Sequence, residues 1–135
     1  MKTIIDSSVW SNFFRKKSRN ETDERIARKI QELAVNNEIV IIGAIRQESL
    51  SGIASEEKFE KIKSVLSIYP DFPVTTDDYV TAARFFNTCR SHGVQGSHID
   101  FLISAVAANN NFSILTLDND FERYRKFVKI ELLVI

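Results

Sequence analysis

Short apolar runs alternate along this chain with longer stretches of three-to-four-residue periodicity. Lys2 to Ile5 opens as a β-branched run that reads as a strand, and Ser8 to Phe14 starts a helix. Arg15-Lys16-Lys17-Ser18-Arg19-Asn20 is polar and basic, hence a loop. Ile26, Ile30, Leu33 and Ala34 recur at helical spacing, which predicts an amphipathic helix over Glu21 to Asn36. Glu38 to Gly43 is short, β-branched and bounded by Asn37 and Gly43, the pattern of a strand buried on both faces. A helix carrying Glu48 in its first turns follows and breaks near Ser51-Gly52. Phe59, Ile62, Val65 and Leu66 then mark another helical face.

Pro70 and Pro73 restrict Ile68 to Val74 to an edge strand or an extended connector, because proline cannot donate to a ladder. Thr75 to Asp78 reads as a helix start with Thr76 or Asp77 as the cap, and that helix runs to about Cys89. Gly93 and Gly96 flank a loop. His98 to Asn110 follows as an apolar helix, Ser113 to Leu117 as a buried strand, Phe121 to Phe127 as a short helix and Lys129 to Ile135 as a last strand. Strands alternating with helices predict an α/β fold with a parallel sheet. A chain of 135 residues is expected to form one domain spanning residues 1–135.

Composition narrows the function. Eighteen basic residues balance eighteen acidic ones, so no global field gathers nucleic acid or an anionic membrane, and a polyanion must be held locally. Cys89 is the single cysteine, which excludes an intramolecular disulfide and fits a reducing compartment. Without a signal peptide or an apolar run near the roughly 20 residues of a membrane helix, the expectation is a soluble cytoplasmic protein.

The candidate chemistry lies in carboxylates. Asp6 and Asp118 end strand-like runs, while Glu48 and Asp100 open helices, which places all four at one rim of a parallel sheet. Ligands bind at that rim in open α/β sheets. Each residue alone has a structural explanation: Asp6, Asp118 and Asp120 as helix caps, Asp100 as a charge favoured at a helix start, Glu48 as a solvated side chain. Together they repel. Two like charges about 4 Å apart cost roughly 4 kcal/mol at an effective dielectric near 20. Hard oxygen ligands of this kind suit Mg2+ or Mn2+, which can activate water and neutralise a phosphodiester. Ser8 and Thr116 are placed to orient a carboxylate as supporting residues. His92 and His98 stand in no metal-ligand spacing, and no glycine-rich phosphate loop or nucleophile elbow is present.

Four segments carry a family resemblance: Ile4-Ile5-Asp6-Ser7-Ser8-Val9-Trp10, Gly43-Ala44-Ile45-Arg46-Gln47-Glu48, Asp100-Phe101-Leu102-Ile103-Ser104-Ala105-Val106-Ala107 and Thr116-Leu117-Asp118-Asn119-Asp120-Phe121. In order and spacing the chain resembles the PIN-domain ribonucleases, and among them the VapC toxins of type II toxin–antitoxin modules. The resemblance implies a three-layer α/β/α fold around a mainly parallel five-stranded sheet. It implies that Asp6, Glu48, Asp100 and Asp118 are catalytic and bind Mg2+ or Mn2+, with Asp120 supporting or replacing Asp118. It also implies a toxin homodimer, a VapB-like antitoxin covering the acidic groove, and tRNA or rRNA as substrate. Asn12 stands near a further polar position of the family, and Ser104 replaces its usual alanine.

The resulting expectation is a metal-dependent endoribonuclease. Arg15, Lys16, Lys17 and Arg19, with Arg123, Arg125 and Lys126, are candidate contacts to the RNA backbone. Two rivals remain at this point. One is a phosphatase or phosphoacceptor domain with Asp6 as nucleophile, although Ser8 stands where such enzymes carry a second Asp. The other is a silent PIN-like module that binds RNA or protein.

Overall fold

A computed structural model describes residues 1–15 and 20–135. In chain order the elements are β1 (Thr3–Ile5), α1 (Ser7–Phe13), α2 (Glu21–Val35), β2 (Ile39–Val40), α3 (Gly43–Leu50), α4 (Glu56–Leu66), α5 (Thr76–Ser91), α6 (His98–Asn110), β3 (Ser113–Leu115) and α7 (Asp120–Tyr124). The strands form a parallel sheet in the order β2-β1-β3, with β1 in the centre. Thr3 faces Ser113 across the ladder, and their hydroxyls share a buried 2.8 Å hydrogen bond that helps fix the register.

Among the described residues, five chain segments lie side by side and three are full strands. The outer two join through single parallel bridges, Ile41 with Asp71 and Ile114 with Leu132. On the first edge the reason is covalent. Pro70 and Pro73 flank Asp71 and have no N–H, so Phe72 N donating to Ile41 O at 2.8 Å is the hydrogen bond that remains. On the other edge, Ile114 N donates to Glu131 O and Leu133 N to Ile114 O.

Helices cover the sheet in two groups. α6 packs on β1 and β3 with α5 against it, while α2 packs on β2 and α1 contacts α2 and α3. Ile4, Ile5, Ile114 and Leu115 are fully buried between these layers, which explains why their strands are apolar without alternation. Ile26, Ile30 and Leu33 supply the inward stripe of α2 at the predicted spacing. Arg46 is a structural residue of α3. It donates to the carbonyls of Leu66 and Tyr69 and pairs with Asp71 at 2.9 Å, tying α3 to the proline-flanked edge.

The start of α5 differs in detail from the sequence expectation. The cap is Thr75, not Thr76 or Asp77: Thr75 Oγ1 accepts from Asp78 N, and Asp78 Oδ2 accepts from Thr75 N at 2.9 Å. Asp78 is buried and also accepts from Asn109 of α6 at 2.8 Å, so it holds the cap and the α5–α6 contact together. Thr75→Ala is expected to lower the unfolding free energy by about 1 kcal/mol, measured by urea denaturation; no change would deny the cap a stabilising role.

Candidate metal centre

Three elements deliver carboxylates to the rim where the parallel strands end. Asp6 follows β1 and caps α1, its Oδ1 accepting from Ser7 N at 2.8 Å. Asp118 lies on the turn that leaves β3, and Asp120 opens α7. Asp100 sits in the first turn of α6, capped by Ser97, whose Oγ accepts from Asp100 N at 3.0 Å. One carboxylate oxygen from each of Asp100, Asp118 and Asp120 lies within 4.8 Å of the others.

Asp6 joins this group through hydroxyls. Its Oδ2 accepts from Ser8 Oγ and from Thr116 Oγ1, each at 2.8 Å. The same Thr116 oxygen accepts from Asp118 N at 3.0 Å, and Asp118 Oδ1 accepts from Asp120 N at 2.9 Å. Asp6, Thr116, Asp118 and Asp120 are therefore linked in one chain of hydrogen bonds across two strand ends. Ser8 reaches further and accepts from Leu117 N at 3.0 Å. Asp6 is buried in this network, whereas Asp118 and Asp120 are half-buried.

Glu48 is placed differently from the expectation. It stands in the last turn of α3, not the first, and is exposed, with Ser7 Oγ donating to its Oε1. That bond brings it beside Asp6 at the start of α1, outside the tight group of three aspartates.

The electrostatics fit an acidic cluster. Burial pushes the Asp100 carboxyl up from its ordinary range to about 6; hydrogen bonds from Tyr124 and Ser97 oppose this, and the charges of Asp6 and Asp118 add to it. Among the described residues, no Lys or Arg salt-bridges Asp6, Asp100 or Asp118, and Arg123 pairs with Asp120. Carboxylate oxygens this close are of the kind a hard divalent ion takes as ligands, and the residues present fit Mg2+ or Mn2+.

This shift has a pH consequence for the metal-free protein. A raised folded pKa means that Asp100 contributes stability in its protonated form. The contribution is complete below the ordinary carboxyl value of about 4 and is lost as pH rises through about 6. In EDTA, the melting temperature of the wild type is expected to fall relative to Asp100→Asn as pH rises from about 4 to about 6. A difference independent of pH across that window would refute the shift.

Tyr124 was not among the residues singled out from sequence. It is fully buried, and its hydroxyl donates to Asp100 Oδ2 at 2.7 Å. Burial raises its own pKa first, followed by that hydrogen bond and the charges of Asp100, Asp120 and Asp118, so it stays protonated as a donor. The two residues are 24 positions apart, and no local spacing connects them.

The remaining candidates divide. Arg15 is exposed, and Lys16, Lys17 and Arg19 lie outside the described residues. Arg123, Arg125 and Lys126 are exposed on the segment beside the acidic turn, with Arg125 pairing to Glu122 at 2.8 Å. Asn12 donates to Asp23 at 2.9 Å, binding α1 to α2 instead of pointing to the cluster. His92 stacks on Phe127 and His98 on Phe86, and Cys89 is a buried free thiol. No helix among the described residues is long and apolar enough to cross a membrane.

The sequence profile of the PIN domain matches residues 3–127, and the chain belongs to the PIN-domain family. Among solved structures, the chain is similar to the VapBC complex of Rickettsia felis bound to a promoter DNA fragment, with a TM-score of 0.78, 15% identity and 98% of each chain covered. It is also similar to FitAcB of Neisseria gonorrhoeae, with a TM-score of 0.75, 15% identity and coverage of 98% of this chain and 96% of that one. A sarcin-ricin loop cleaving VapC toxin of Mycobacterium tuberculosis matches with a TM-score of 0.68, 16% identity, and 96% and 99% coverage. At these identities the likeness establishes the fold. No curated protein sequence matches the chain.

Proposed function

We propose that this chain is an Mg2+- or Mn2+-dependent endoribonuclease, the toxin of a toxin–antitoxin module, that cuts structured RNA such as tRNA or rRNA in the cytoplasm. The observation that carries this reading is the convergence of Asp100, Asp118 and Asp120 oxygens at the strand-end rim of a PIN-family chain. Asp6, Asp100 and Asp118 are the residues that would hold the ion, with Asp120 beside them and Ser8 and Thr116 fixing the Asp6 carboxylate. The ion, when bound, supplies positive charge for a scissile phosphate and acidifies water.

Glu48 has a separate part. Exposed and anchored by Ser7, it is free to accept a proton from the attacking water or to complete the ligand set. Arg15, Arg123, Arg125 and Lys126, with Lys16, Lys17 and Arg19, are assigned to the RNA backbone. Arg123 and Arg125 are held on α7 and the residue after it by exposed i,i+3 pairs, which are weak enough to exchange for phosphate. An unpaired loop in a folded RNA suits an open rim, because its bases and backbone are accessible there. Partnership with an antitoxin and assembly as a homodimer belong to the same reading, supported by the likeness to toxin–antitoxin complexes.

The test is RNA cleavage by the purified chain. Cleavage is expected to stop in EDTA and to return on adding Mg2+ or Mn2+, with a parallel rise in melting temperature as the ion occupies the cluster. Cleavage that persists in EDTA would exclude the metal-dependent mechanism.

A further inference from the structure

We infer that Tyr124 is a positioning residue for the metal centre, its buried hydroxyl fixing the Asp100 carboxylate in a space that Gly96 leaves open. The inference rests on the reading of Asp100 as a metal ligand and adds to it a support drawn from α7. Tyr124 Oη donates to Asp100 Oδ2 at 2.7 Å, a good length for a hydrogen bond to a carboxylate. The ring itself has little freedom. It is fully buried, with its centroid 4.8 Å from that of Phe101 and 5.2 Å from that of Phe121. Phe101 neighbours Asp100 on α6, so the same helix turn that presents the carboxylate also grips the ring donating to it.

Gly96 supplies the second observation. A Cβ there would lie 2.7 Å from Tyr124 Cζ and 2.8 Å from Cε1, closer than real Cβ contacts allow. The backbone at Gly96 has no positive φ, so glycine is required for space and not for conformation. The next residue, Ser97, caps α6 through Asp100 N. Gly96 and Ser97 thus set both ends of one short path, the backbone of Asp100 through its cap and its carboxylate through the phenol. A carboxylate tied by one oxygen cannot turn freely about its terminal torsion. Its orientation toward Asp118 and Asp120 is therefore fixed before an ion arrives, which lowers the entropy lost on binding.

The experiment is a Mn2+ titration of the full chain followed by electron paramagnetic resonance, for the wild type, Tyr124→Phe, Gly96→Ala and the double variant. Tyr124→Phe keeps the ring and removes the donor, and it is expected to weaken Mn2+ binding about 10-fold. Its cleavage activity is expected to return toward the wild-type level at high Mn2+, which a general loss of structure would not allow. Gly96→Ala should weaken Mn2+ binding similarly by displacing the ring, and should add no further weakening when Tyr124 is already Phe. Should either single variant unfold, the other still carries the measurement. Wild-type affinity in folded Tyr124→Phe overturns the inference while leaving the metal site standing. A wild type that binds no Mn2+ overturns both.

Discussion

Asp6→Ala and Asp100→Asn are each expected to cut RNA cleavage by at least about 100-fold while leaving a folded protein. The lower bound follows from the residues behind a metal ligand, whose loss alone typically costs about 10–100-fold; a ligand itself should cost more. Asp6 makes the sharper case because it has both a structural and a chemical part. As the cap of α1 it accepts from Ser7 N, and removal of that acceptor costs about 1 kcal/mol. A loss of that size leaves a domain with stability of order 5–15 kcal/mol folded. The comparison that decides is Ser8→Ala, which removes one of two hydroxyl donors to Asp6 Oδ2 but keeps the carboxylate. Its activity should fall between that of the wild type and that of Asp6→Ala. If Asp6→Ala cuts RNA at the wild-type rate, the assignment of the site is wrong.

The second large effect is on stability. Trp10 is 1% exposed, stacks on Phe14 at 6.0 Å between ring centroids, meets Phe13 edge-on at 6.2 Å and lies 6.1 Å from Tyr69. Trp10→Ala is expected to cost about 3–5 kcal/mol, a large part of the total. Its indole N–H is buried with no hydrogen-bond partner among the described residues. A buried unpaired donor costs about 1–3 kcal/mol, so Trp10→Phe removes that penalty along with some packing and should cost under about 2 kcal/mol. Urea unfolding followed by far-ultraviolet circular dichroism measures both, since Trp10 is the only tryptophan and its fluorescence disappears with it. Equal losses in the two variants would mean that ring volume contributes nothing at this position.

The layered fold was readable because its strands are buried on both faces. Ile4, Ile5, Ile114 and Leu115 form apolar runs too short for helices, and their β-branching and flanking turns separate them from helical segments. The gathering of Asp6, Asp100 and Asp118 was readable for a topological reason: in a parallel sheet, strand ends and the starts of neighbouring helices share one rim. Glu48 escaped this logic. α3 begins earlier than its polar residues indicate, at Gly43 with Ile42 in the cap position and no side-chain capping bond, so nothing local marked where the helix started. The cap of α5 lies at Thr75, one residue before Thr76 and two before Asp77, because Asp78 stands three residues on and returns the bond to Thr75 N, completing a capping box. Tyr124 was invisible for a different reason. Its partner is remote in sequence, and a tyrosine after Phe121 reads as packing.

The prolines beside Asp71 also govern what the molecule can associate with. An outermost strand normally invites a passing extended chain to hydrogen-bond alongside it, and uncontrolled stacking begins that way. Here Pro70 and Pro73 withhold amide hydrogens within four residues, and Arg46 grips the Asp71 side chain from behind. A foreign strand therefore finds no continuous ladder to extend on this border.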